Sequence, residues 1–240
     1  MTVIFAYLDE PPFCAPGAPG AGGKPTGCDV EVVFAVLRSI GVDAIETQLT
    51  TFAKLLPGVA NGRWHINTPL FVTAERRQLV DFSRPVWTLS DGLMLRAGDE
   101  RRLNSYDALA GDAGARLVTV TGQVQEQRAL AAGMPPARIE RVATQAEAVQ
   151  HLLDHRADAY ASVAMAHRGF LKAHPNERLT VADFADTSGV TAAGAYSFSK
   201  QQPELRQAFD RGLQDFLGTR EHRGIMLRYG FTDADVDRVS

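Results

Sequence analysis

Arg76 is the residue whose type and position most invite chemistry. It lies in Asn67-Thr68-Pro69-Leu70-Phe71-Val72-Thr73-Ala74-Glu75-Arg76, where an apolar segment from Trp64 to Asn67 passes through a polar turn into a helix capped by Thr73. Threonine suits an N-cap because its oxygen accepts from an unpartnered backbone N–H. The first amides of a helix attract anions, and the aligned peptide dipoles strengthen that attraction. A cation in the first turn sits badly against the same dipole. Arg76 therefore answers either to a carboxylate from outside, held by its two-pronged guanidinium, or to an acidic side chain on the surface. Thr121-Gly122-Gln123 reads as a second helix start, with Thr121 as cap and free amides for an anionic or carbonyl group. An ordinary capped helix is the alternative. With one glycine and no lysine it is not a phosphate loop.

Other chemistry finds little support. His151 and His155 stand at i, i+4, a spacing zinc can use, but no third ligand is evident and a solvated helix face explains both. No Gly-x-Ser-x-Gly, Cys/His pair or paired carboxylates announce a nucleophile or an acid–base dyad. No catalytic residue, metal or cofactor is expected. Cys14 and Cys28 flank a loop rich in Gly, Pro and Ala. They either form a disulfide closing that loop or remain as a buried thiol at Cys28 and an exposed one at Cys14.

The elements that must position these residues follow from periodicity. The 240 residues suffice for two small lobes, each with a core. Apolar content of 45% and a net charge of −3 describe an ordinary globular chain without a basic field for nucleic acid. No apolar run reaches the roughly 20 residues that span a bilayer. Strand and helix patterns alternate: Thr2–Tyr7, then a helix over 29–40 with Val30, Val33, Phe34, Leu37 and Ile40 on one stripe, then Ala44–Leu49, a helix from Thr50 or Thr51, and Trp64–Thr68. Such alternation implies an α/β layer with a mainly parallel sheet, whose ligands sit beyond the carboxyl ends of the strands. Asp9-Glu10-Pro11-Pro12-Phe13 is a stiff turn after the first strand, and Phe13 either meets a ligand or anchors the loop. Val86–Arg96 reads as a strand crossing into a second lobe, which repeats the alternation. Val190–Ser199 crosses back, and a long amphipathic helix from Pro203 and a short one at 226–230 close the chain.

The Thr73-x-Glu75-Arg76 segment followed by Val80-Asp81-Phe82-Ser83-Arg84-Pro85 resembles the extracytoplasmic solute-binding proteins of polar amino acid ABC transporters, and the resemblance runs along nearly the whole chain. It implies a type II periplasmic binding protein fold: lobe 1 over residues 1–92 and 193–240, lobe 2 over 93–192, joined by two hinge crossings and closing on a small solute. It implies a monomer that delivers this solute to ABC permease subunits in the periplasm, its signal peptide removed, and that is not an enzyme. In that family the arginine at position 76 grips the ligand's α-carboxylate, and a Pro-Pro-aromatic turn like Pro11-Pro12-Phe13 packs a ring on the ligand.

Three positions depart from the pattern. Gln123 stands where a hydroxyl residue often follows the glycine, and Phe71 where Ser or Thr is common. Val163, after Asp158-Ala159-Tyr160-Ala161-Ser162, replaces the aspartate that neutralises the ligand's ammonium, and an ammonium buried there would lack its ion partner. Binders of the cyclic solute ectoine have a similar Phe-Val-Thr-x-Glu-Arg element and an acidic residue where Glu10 stands. The expected ligand bears a carboxylate and a delocalised, alkylated or absent amine, against aromatic walls drawn from Phe13, Trp64, Phe71 and Trp87. The expected contact set is Glu10, Phe13, Pro69, Phe71, Thr73, Arg76, Thr121, Gly122, Gln123 and Val163. The rival is a cyclohexadienyl dehydratase-like enzyme on the same architecture, for which Glu10 and Asp91 are the candidate acids.

Overall fold

The structure, a computed structural model, describes residues 2–17, 23–99, 101–176, 178–183 and 192–239. The chain runs β1 (Val3–Tyr7), α1 (Cys28–Ser39), β2 (Ile45–Leu49), α2 (Phe52–Ala60), β3 (Ile66–Phe71), α3 (Ala74–Leu79), β4 (Asp81–Phe82) and β5 (Trp87–Thr88). It continues with β6 (Asp91–Arg96), α4 (Tyr106–Gly111), β7 (Leu117–Val120), α5 (Gln125–Ala131), β8 (Ile139–Val142), α6 (Gln145–Leu153), β9 (Ala159–Val163), α7 (Ala164–Ala173) and β10 (Leu179–Asp183). Then come β11 (Ala193–Phe198), α8 (Pro203–Phe216), α9 (Arg220–Arg228) and α10 (Asp233–Asp237). Among the described residues no helix is long and apolar enough to cross a membrane.

Two units result, Met1–Thr88 with Ala192–Ser240, and Leu89–Thr191. Unit 1 holds a sheet in the order β2-β1-β3-β11-β4, with β5 added to β11. Strands β2, β1 and β3 run parallel, which requires crossovers, and α1 and α2 supply them. The return strand β11 runs against β3, β4 and β5. Unit 2 has the order β10-β6-β9-β7-β8, with β8, β7 and β9 parallel and β6 and β10 antiparallel. Each sheet is thus mixed, more antiparallel than the alternating pattern suggests, because the strands that enter after a change of unit run the opposite way. The core of unit 2 includes Leu93, Leu103, Leu109, Leu117 and Met134.

Some element bounds differ from the sequence reading. The expected strand over Val86–Arg96 is two: Trp87–Thr88 pairs in the first sheet and Asp91–Arg96 in the second. The break between them is where the chain changes unit. Helix α9 begins at Arg220, six residues before the expected start, since Thr219 Oγ1 caps it by accepting from His222 N–H. Helix α10, with a Thr232/Asp235 capping box, is additional to the elements that the periodicity predicts. Of the expected loop at 15–24, residues 18–22 lie outside the described residues, as do Val190 and Thr191 of the expected return crossing.

Candidate functional site

In unit 1 the strand β3 runs past its expected end at Thr68, through Pro69 to Phe71, so the polar turn expected before Thr73 is shorter. Proline lacks an N–H and is tolerated in sheets at edges and bulges. Pairing with β1 covers Ile66 and Asn67, and the register with β11 shifts between Ala195 and Ser197, opposite the Thr68–Pro69 step. Thr73 then caps α3, its Oγ1 accepting from Arg76 N–H at 3.2 Å. Because α3 has six residues, Arg76 lies in its last turn as well as its first, and the dipole argument against a cation there lapses. The side chain is buried, at 6% exposure. Its Nη1 donates to Phe71 O at 2.7 Å, and its guanidinium carbon lies 5.6 Å from the Phe52 ring centroid. A planar five-donor fork is thereby set at the carboxyl end of a parallel strand, with a carbonyl fixing one nitrogen and a ring supporting the plane.

Beneath this edge is an aromatic cluster resting on a buried acid. Trp87 lies 5.5 Å from Phe71, edge to face, and 5.8 Å from Phe13, which also meets Phe231 at 6.3 Å. Phe13 is buried, so it anchors its loop as well as standing beside Phe71's support. Glu10 N–H donates to Cys14 O, and Phe13 N–H donates to Glu10 O, closing the turn. Trp87 Nε1 donates to Asp29 Oδ1 at 3.3 Å, and Thr68 Oγ1 donates to Asp29 Oδ2 at 3.0 Å. Burial pushes the Asp29 carboxyl up to about 7 against these bonds. Cys14 and Cys28 are both free and both buried, which corrects the exposed Cys14 expected from its loop. Cys14 Sγ lies 3.3 Å from Thr68 Oγ1, and burial raises both thiols far above their ordinary value. Trp64 is not a wall residue: it is a core side chain whose Nε1 donates to Leu55 O.

In unit 2 the Thr121–Gly122–Gln123 stretch is a turn, and α5 begins four residues after Thr121. Thr121 is not a cap, for its Oγ1 donates to Val142 O at 3.0 Å. Thr121 N–H donates to Val142 O and Gln123 N–H to Val120 O, so those amides serve the backbone rather than a ligand. Gly122 has a φ of 93°, the left-handed conformation that glycine adopts without strain and that turns the chain here. Gln123 is buried. Val163 ends β9, and its Cα partner on β6 is Asp91. Position 163 carries no carboxylate, but Asp91 stands one strand across. Sequence reasoning had Asp91 only as a possible enzyme acid, because nothing local reveals an antiparallel partner 72 positions away. The carboxylate is occupied by Arg128 Nη1 at 2.6 Å, Gln125 Nε2 at 2.9 Å and Tyr106 Oη at 2.6 Å.

Two further expectations change. Helix α6 ends at Leu153, so His151 and His155 do not form a shared helix face: His151 is buried 3.3 Å from Glu140, and His155 lies beyond the helix with φ 57°. Among the described residues no group of three His, Cys, Asp or Glu side chains could hold a metal.

Comparison with known proteins agrees with this architecture. The family model of the bacterial extracellular solute-binding proteins, family 3, matches residues 3–232. The probable amino-acid ABC transporter periplasmic-binding protein y4tE of Sinorhizobium fredii is 27% identical over 223 residues, covering 90% of this chain and 74% of the relative. The crystal structure of EhuB in complex with hydroxyectoine superposes with a TM-score of 0.88 at 26% identity, covering 99% of this chain and 91% of that one. The ancestral amino acid-binding protein AncCDT-1, a precursor of cyclohexadienyl dehydratase, shares the fold at a TM-score of 0.81 and 22% identity, over 95% of this chain and 94% of that one.

Proposed function

Since the chain belongs to the bacterial extracellular solute-binding proteins of family 3, we propose that its solute is a small carboxylate-bearing molecule without a free primary ammonium, of the ectoine or betaine kind, handed on to the permease of an ABC transporter. The observation that carries this reading is the buried Arg76 guanidinium, oriented by Phe71 O and the Phe52 ring at the end of β3. A guanidinium fixed in this way can take both oxygens of a carboxylate without first ordering its own side chain. Phe71, backed by Trp87, and Phe13 supply apolar surface for a cyclic or alkylated cation. The structural likeness to a hydroxyectoine complex supports the solute class.

The dehydratase reading needs a carboxyl group to assist loss of water. Asp91, one of its two candidates, is engaged by three side chains, which weighs against that role. Turnover of prephenate or arogenate by the purified protein would decide for it.

The test of the anchor is a thermal-shift screen with amino acids, betaines, ectoines and small carboxylates, repeated on Arg76→Ala. A hydrogen bond to a charged group contributes about 1.5–3 kcal/mol, so the variant should weaken any carboxylate hit by roughly ten- to hundredfold. A variant that responds like the parent removes Arg76 from the site.

A further inference from the structure

One end of the sheet in unit 2 gathers polar side chains from three elements, an aspartate and an arginine among them. Thr119 on β7 pairs with Ala161 on β9 in parallel, so two residues further on Thr121 and Val163 stand at the same end. Asp91 opens β6 at that end, directly opposite Val163. Residues facing each other across an antiparallel pair project to the same face. A carboxylate at position 163 and the carboxylate of Asp91 would therefore serve one patch. Asp91 is buried, with 4% of its side chain exposed, and Arg128 keeps 28% of its own. Gln125 and Arg128 both come from α5, the helix that follows the Gly122 turn, and Tyr106 from the start of α4.

We propose that the Asp91–Arg128 pair determines which solutes this end of unit 2 accepts, Arg128 being a built-in cation that takes the place of a ligand's ammonium on Asp91. The inference rests on the reading of the chain as a carboxylate-solute binder. A tethered guanidinium already on the carboxylate meets no entropy cost of association, whereas an incoming ammonium must lose its hydration and displace it. The charges of the pair cancel within unit 2, so a primary ammonium brought to Asp91 finds a carboxylate that already has its partner. A quaternary or delocalised cation loses less hydration and can rest on aromatic rings instead. Specificity here is exclusion, achieved by filling the complementary group rather than deleting it.

The experiment is isothermal titration of the full chain and its variants with the twenty standard L-amino acids, glycine betaine, ectoine, succinate and glutarate. Arg128→Gln should bind at least one L-α-amino acid at least tenfold more tightly than the parent, and the double variant Asp91→Asn/Arg128→Gln should lose that gain. Circular dichroism melts establish that each variant folds. Should Arg128→Gln fail to fold, Asp91→Asn tests the pair from the other side, since the released guanidinium should improve succinate or glutarate binding at least tenfold. Unchanged ligand ranking in the folded variants overturns the proposal, as does a parent that binds L-α-amino acids as tightly as Arg128→Gln does. Failure of the underlying reading looks different: Arg76→Ala would then leave every hit intact, whatever the changes at 91 and 128 do.

Discussion

At Asp29, burial pushes the carboxyl up to about 7, while bonds from Thr68, Trp87 and Cys28 pull the other way without prevailing. A neutral Asp29 can donate to Thr68 Oγ1, whose own hydrogen can turn to Cys14 Sγ, so protonation leaves this chain of polar atoms satisfied. The folded protein thus keeps a proton that the unfolded chain, at the ordinary value of 3.8, gives up earlier. Where the native state binds more protons, stability falls as pH rises. The contribution of Asp29 is complete below about pH 4 and is lost by about pH 7, a change of roughly 4 kcal/mol by the free-energy equivalent of a pKa shift. Asp29→Asn has nearly the same shape and no titration, so urea melts of the variant between pH 4 and 8 should lack this component of the slope. An undiminished slope would assign the dependence to another group. Asp158 adds a slope of opposite sign at lower pH. Burial raises its pKa, but the Arg116 backbone N–H and the Arg101 and Arg96 guanidiniums outweigh that and hold the carboxyl low. Its contribution is present above the ordinary value of 3.8 and is lost as pH falls through the depressed one.

Elements differ in how much of their role their own residues disclose. The strand β1, the Thr73 cap and the stripe of α1 are local, set by residues a few positions apart, and the sequence shows each of them. The placement of Arg76 next to Phe71 is nearly as local, because five residues of turn and helix suffice to bring them together. What the sequence conceals comes from pairing at long range. Pro69 reads as a turn residue until β11 supplies a register shift beside it, and nothing ties Asp91 to Val163 until β6 meets β9. Thr121 looks like a cap because the strand partner that takes its hydroxyl, Val142, belongs to another element. Strand β11 also carries a requirement visible only in packing. A Cβ at Gly194 would lie 2.0 Å from Trp87 Cζ3, so the indole can press on this strand only because position 194 has no side chain. Gly194→Ala must displace Trp87, and with it the support of Phe13 and Phe71. A loss of about 1–3 kcal/mol is expected from such overpacking, read as a lower urea midpoint, together with weaker solute binding. Full stability and unchanged affinity would mean that Trp87 does not position the aromatic wall.

For the whole molecule, each unit has its own sheet and buried core, and the chain passes between them twice. Independent cores permit independent unfolding, in which case a single transition cannot be assumed. The two tryptophans, Trp64 and Trp87, both belong to unit 1. Their fluorescence reports unit 1 alone, while far-ultraviolet circular dichroism reports both units. If binding the solute requires both units to be folded, its binding energy is lost when either one opens. A solute at 100 times its dissociation constant then adds about 2.7 kcal/mol, and this stabilisation is shared. Without solute, the fluorescence and dichroism transitions in urea should separate. With it, both should move to higher urea and coincide. The opposite outcome is as readable: if fluorescence moves and the remaining dichroism change stays where it was, the solute is held by unit 1 alone, and the residues assigned to unit 2 have no part in binding.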